Sequence, residues 1–173
     1  MKSSLPQRKP NRISNFDYRS HGAYFVTICT HERRNTLCSI VGDGFPVPKP
    51  SGTIAASVIA AIPEHFPQVR VDHSVVMPNH IHLLLFIDSS SSPHLPCPTL
   101  GNVIGWYKYQ VTKQINLSCG TAGAKVFQRS YHDHVIRGQR DGKPVPYNFV
   151  TSHVKKTHPY GCVFFVTYWP GWC

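Results

Sequence analysis

Residues 75–87 read Val-Val-Met-Pro-Asn-His-Ile-His-Leu-Leu-Leu-Phe-Ile (VVMPNHIHLLLFI). The run from His80 to Ile87 is apolar and of strand length, and Met77-Pro78-Asn79 separates it by a turn or bulge from a preceding strand over roughly Val69 to Val76. Side chains two apart along a strand share a face. His80 and His82 therefore stand side by side, while Ile81 turns the other way into the core with Leu83 and Leu85. Two imidazoles at this spacing suit a single metal ion. Two histidines do not close a structural site, so such a centre would stay open to substrate. The same spacing also fits two metal-free histidines on a half-exposed strand, and the surrounding sequence has to choose.

Upstream, Ala23 to Thr30 (AYFVTICT) is aromatic and β-branched and reads as a central strand, with His31 to Asn35 (HERRN) as its charged exit. Residues 39–51 are rich in Gly and Pro and read as a loop. Ser51 is placed to cap a helix running to about Phe66, with Ile54, Val58, Ile59, Ile62 and Phe66 at helical spacing. After the loop Ser89 to Pro98 comes the longest helical signal, Leu100 to Asn116, in which Val103, Tyr107, Val111 and Ile115 recur every fourth residue. A short strand at Val126-Phe127-Gln128 leads into His134-Val135-Ile136-Arg137. The order strand, helix, strand, strand, helix, strand predicts an α+β fold, a ferredoxin-like split βαβ sandwich whose antiparallel sheet carries two helices on one face.

At 173 residues the chain suits one folded domain, and 41% hydrophobic against 15% charged residues marks it as globular. Lys and Arg number 18 against 8 acidic residues, a net charge of +10. That excess suits a polyanion, because basic side chains at phosphates release condensed counterions. Charge alone does not separate DNA, RNA and an anionic membrane surface. No apolar run approaches the roughly 18 residues of a membrane span, and none follows Met1 as a signal peptide requires. Six cysteines without CxxC spacing read as reduced thiols of a cytoplasmic protein. The chain divides into a flexible basic arm (1–20), a folded domain (21–141) and a compositionally different tail (142–173).

The phrase Met77 to Leu84 resembles the "MPNHxHLL" signature of the HUH-type tyrosine transposases, the REP-associated enzymes and the single-strand transposases of small bacterial insertion sequences. Three more blocks are similar to that family in the same order: YFVTICTHERR (Tyr24–Arg34), LGNVIGWYKYQVTKQIN (Leu100–Asn116) with its aromatic-lysine pair Tyr107-Lys108, and VFQRSYHDHVIR (Val126–Arg137). The resemblance covers about residues 10–140. It implies that His80 and His82, with a third polar side chain, hold Mg²⁺ or Mn²⁺ against a scissile phosphate. It further implies a tyrosine nucleophile that forms a 5′-phosphotyrosine, an imperfect single-stranded DNA hairpin as substrate, a homodimer, no membrane partner, and a bacterial cytoplasmic, nucleoid-associated setting.

The resemblance stops near Asp141. Tyr147 stands at about the distance expected of the nucleophile, yet Pro144 and Pro146 precede it, a poor entry to a helix interior. Thr151 stands where the family has Asn, and His153 is only a remote substitute. Two accounts remain open: natural divergence with Tyr147 still serving, or a frameshift near Asp141. The alternative function is accordingly a degenerate relative that binds DNA hairpins without a working tyrosine. Arg33, Arg34, Lys108, Lys113 and Arg129 are candidate phosphate contacts, and Trp106, Tyr107 and Tyr109 candidate base-stacking rings, with Tyr107 assigned instead to the core stripe. His132 and His134 repeat the i, i+2 spacing but fall in the family block as structural or DNA-contact residues, and Tyr131 is a fallback nucleophile. A non-catalytic ferredoxin-like nucleic-acid module leaves the histidine pair unexplained. A two-histidine phosphoesterase requires paired HxT or HxS motifs that are absent.

Overall fold

The computed structural model describes residues 22–42, 45–88, 90 and 94–136. Its elements are β1 (Gly22–Cys29), a 3-10 turn (His31–Arg33), β2 (Cys38–Val41), β3 (Phe45–Pro48), α1 (Pro50–Ala60), α2 (Ile62–His65), β4 (Val69–Val76), β5 (His80–Ile87), α3 (Leu100–Cys119) and β6 (His132–Ile136). Four strands form one sheet in the order β4-β5-β1-β6, and each neighbouring pair runs antiparallel. This is the split βαβ arrangement expected from the order of elements, with both crossovers passing over one face. Tyr24, Val26 and Ile28 of β1 and Ile81, Leu83, Leu85 and Ile87 of β5 supply the sheet side of the core. Ala55, Val58 and Ile59 pack onto them from α1, Ile62 from α2, and Val103, Ile104, Tyr107, Val111 and Ile115 from α3. The alternation along β5 is why one face is buried and the histidine face is left open.

Several local expectations are corrected. The segment 39–51 is no simple loop: β2 and β3 form a hairpin with Cys38 opposite Pro48 and Ile40 opposite Pro46. Both strands of a two-stranded ribbon are edges, so prolines without N–H donors are tolerated there. The N-cap of α1 is Lys49, with Pro50 in the first turn, and Ser51 donates its hydroxyl to Thr36 O instead of capping. The helix expected to run to Phe66 breaks at Ala61, because Pro63 can supply no N–H to the carbonyl of Ile59. Helix α3 extends past Asn116 to Cys119 and stops at Gly120, which takes the left-handed cap conformation. Val126 to Gln128 contributes one bridge, Thr30 to Phe127, and not a strand; the last strand begins at His132, two residues earlier than expected. The arm (1–20) and the tail (142–173) with Tyr147, Thr151 and His153 lie outside the described residues.

Candidate metal and DNA site

Registers across the sheet place three rows of side chains on the open face, since directly opposed residues share a face. Val75, His82, Thr27 and His132 form one row; His73, Leu84, Phe25 and His134 form the next; Arg70, Phe86, Ala23 and Ile136 form the third. Beyond the first row, His80 sits opposite Cys29. The imidazole rings of His80 and His82 lie 4.7 Å apart between centroids, set edge to face. The pair is as the strand periodicity requires.

Each ring is oriented by a second side chain. His80 Nδ1 is 2.7 Å from Asn79 Oδ1, an acceptor, so Nδ1 carries the proton and Nε2 is the nitrogen left to ligate. His82 Nδ1 is 3.0 Å from Thr27 Oγ1. When the Thr27 hydroxyl accepts, His82 has the same tautomer and presents Nε2. Partners of this kind fix ring orientation and raise ligand basicity at metal sites. Burial holds the His82 ring down to about 4, with His80 beside it adding to the effect. Burial, and then the Arg33 guanidinium, lowers His80 in the same direction. The pair therefore favours its neutral, ligating form.

The turn after β1 is tied to the residue that orients His80. Thr30, fully buried, donates its backbone N–H to Asn79 O at 2.9 Å, and its hydroxyl lies within reach of Asn79 O and Arg34 O. Glu32 and Arg33 both adopt positive φ, 55° and 53°, conformations that cost energy for residues with a Cβ. Beyond β1, Gln128 N–H donates to Cys29 O and His31 N–H to Val126 O. The segment carrying Arg129 is thus brought to the end of the sheet where His80 stands.

The candidate basic residues separate into different situations. Arg33 and Arg129 are exposed near the histidine end. Arg34 is ion-paired with Glu32. Lys108 is not a free cation: its ammonium donates to Gln128 O at 2.5 Å and Arg129 O at 3.0 Å, and burial lowers its pKa. Lys113 is exposed on α3, whose buried face meets the other side of the sheet. Of the rings, Tyr107 is fully buried with its hydroxyl directed to Ala55 O at 3.3 Å. Trp106 stacks on His65, centroids 4.5 Å apart. Tyr109 is exposed, and Tyr131 packs partly buried against the core. His132 and His134 lie exposed on β6, separated from β5 by β1. No group of three or more His, Cys, Asp or Glu gathers among the described residues. The orienting residues Thr27, Asn79 and Thr30 were missed from sequence. Asn79, adjacent to His80, was in reach; Thr27 depends on strand register.

No known protein-family model matches the chain. A Haemophilus influenzae protein that carries no functional name is 27% identical over 156 residues, an overlap covering 80% of this chain and 83% of that one. Among solved structures, the chain is similar to a REP-associated tyrosine transposase bound to a REP hairpin, with 18% identity and a TM-score of 0.44 over 75% of this chain and 66% of that one, just under two thirds of its length. It is similar also to a candidate transposase from Deinococcus radiodurans R1, with 14% identity and a TM-score of 0.45 over 73% and 85% of the two chains. No helix among the described residues is long and apolar enough to cross a membrane.

Proposed function

We propose that the protein is a transposase of the HUH tyrosine type, cleaving and rejoining single-stranded hairpin DNA through a 5′-phosphotyrosine. The observation that carries this is the pair His80 and His82 on an open sheet face, each Nδ1 within hydrogen-bond reach of a neighbour, which leaves Nε2 of His80 to ligate, and Nε2 of His82 as well when the Thr27 hydroxyl accepts. The four sequence blocks quoted above supply the family context.

The donor set fits a divalent ion with open positions. Two imidazoles suit a transition ion such as Mn²⁺ better than Mg²⁺, which prefers an all-oxygen shell. When bound, the ion would polarise non-bridging oxygens of the scissile phosphate and neutralise developing charge. His80 and His82 hold that position, Asn79 and Thr27 keep the rings aimed, and Arg33 adds positive charge beside them. The attacking tyrosine, with Tyr147 the candidate by position, gives up its phenolic proton and forms a bond from its oxygen to phosphorus. The bond from phosphorus to O3′ breaks, and O3′ takes a proton to become a 3′-OH. One ester replaces another, so the strand can be rejoined without a nucleotide cofactor. A homodimer and a nucleoid-associated location belong to the same proposal.

Incubation with Mn²⁺ and a labelled single-stranded hairpin oligonucleotide tests the proposal. The expected result is a covalent protein–DNA band that disappears in His80→Ala, while Tyr147→Phe tests the nucleophile separately. Hairpin binding with no covalent band under any metal would overturn the catalytic reading and identify a hairpin-binding protein that does not cut.

A further inference from the structure

Phe25 is a large apolar ring in an unusual place. It lies on β1, which has a strand on each side in the sheet, and its side chain points to the open face, since Tyr24 and Val26 on either side of it are fully buried in the core. It nevertheless remains 41% exposed. One face of the ring stacks on His82, with centroids 5.1 Å apart and planes 25° apart, and His82 in turn contacts His80. Three rings thus run in series from Phe25 to the candidate metal ligands. The three rows of the open face, with Phe25 in the middle one, carry His73, His82, His132, His134 and Arg70, and the one carboxylate that meets them, Asp72 at the bulge of β4, is taken up by His73 at 2.7 Å and Arg70 at 3.8 Å. A solvated aromatic ring among basic side chains, with a single carboxylate that is already ion-paired and one side chain away from the candidate metal ligands, matches a nucleotide better than it matches an apolar peptide: the ring meets a base and the surround tolerates the backbone.

We infer that Phe25 is a nucleobase platform, taking one unstacked base of a single strand whose phosphate lies towards His80 and His82. The occupant is a single-stranded nucleic acid and the contact is to the base plane, so it is tolerant of base identity. The inference deepens the proposed function and rests on it for where the phosphate lies, though the stacking itself needs neither metal nor cleavage.

The test is equilibrium binding in the presence of a chelator, with the full-length protein and two fluorescein-labelled probes. One is a single-stranded DNA oligomer of mixed sequence, and the other is the same length built from abasic residues. Phe25→Leu keeps apolar bulk on the strand and should weaken binding to the base-bearing oligomer by about tenfold, leaving the abasic chain unaffected. Phe25→Trp should restore the affinity, and its indole emission should be quenched by the base-bearing oligomer alone. Equal affinities of wild type and Phe25→Leu for the base-bearing oligomer would overturn the inference, as would an equal loss on both probes or an indole emission that DNA leaves unmoved. Because no metal is present, a base-dependent loss without nicking in the earlier assay would sink the catalytic proposal and leave the platform standing. Nicking with no effect of Phe25→Leu would do the reverse.

Discussion

At the scale of single residues, the histidine pair depends on neighbours that make no contact with an ion. Thr27 holds His82 and Asn79 holds His80, each through Nδ1. Replacing Thr27 by Val preserves shape and removes the hydroxyl. Such losses typically weaken metal affinity 10–100-fold, so Thr27→Val and Asn79→Ala should each weaken Mn²⁺ binding on that order, read by electron paramagnetic resonance, with the melting temperature little changed. A loss of melting temperature without loss of affinity would show that these contacts only brace the sheet. The depressed histidine pKa values carry a second consequence. In the unfolded chain His82 titrates near 6.5, whereas in the fold it stays neutral to about pH 4. Below 6.5 the unfolded state binds the proton that the folded state refuses, so the metal-free protein loses stability as pH falls from about 6.5 towards 4. His82→Gln, which cannot titrate, should flatten that part of the curve in urea denaturation followed across pH. An unchanged slope would mean that His82 is as free to protonate as in water.

Elements were legible in proportion to how local their causes are. The limits of β4 and β5 follow from the apolar runs and the Met77-Pro78-Asn79 break, and α3 from its four-residue repeat, whose members are all buried. The hairpin β2–β3 was hidden because Gly and Pro usually announce loops, while its pairing is decided by what it packs against. Gly52 shows the same non-local cause. A Cβ there would lie 2.2 Å from the backbone oxygen of Leu37, which already accepts from Lys49 N–H at 2.9 Å. Gly52→Ala must push α1 off the start of the hairpin and should destabilise the protein by about 2–3 kcal/mol, seen as an earlier midpoint in denaturant. Gly105 on α3, with nothing within 4 Å of its Cβ position, serves as the control and should tolerate Ala. Lys108 also changes meaning at this scale. Its sequence setting in a basic helix suggests a phosphate contact, whereas its two carbonyl acceptors make it a brace between α3 and the segment before β6. Lys108→Met should cost about 1–3 kcal/mol by leaving those carbonyls short of a donor.

For the whole molecule, the sheet order could be anticipated from the sequence of elements, and so could the two histidines. Which basic residues share their face could not, because that depends on how helices and loops come together in space. Among the described residues, the sheet has an open face bearing the histidines and a covered face bearing the helices. Arg33 and Arg129 are exposed at the histidine end, and Lys113 is exposed on the helical layer. A net charge of +10 attracts DNA to either side, but only side chains at bound phosphates set the dependence of affinity on salt. Each phosphate contact on a single strand contributes about 0.7 to the slope of log affinity against log salt. Arg33→Ala and Arg129→Ala should therefore each lower that slope by about 0.7, and Lys108→Met should leave it unchanged because its ammonium is already taken. Lys113→Ala should also leave it unchanged if the strand lies wholly across the open face. Titrations of one labelled oligomer over a range of salt concentrations measure all four. A slope lowered by Lys113→Ala and untouched by Arg33→Ala would put the DNA on the helical layer, on the far side of the sheet from the histidines, and no strand held there could offer them its phosphate.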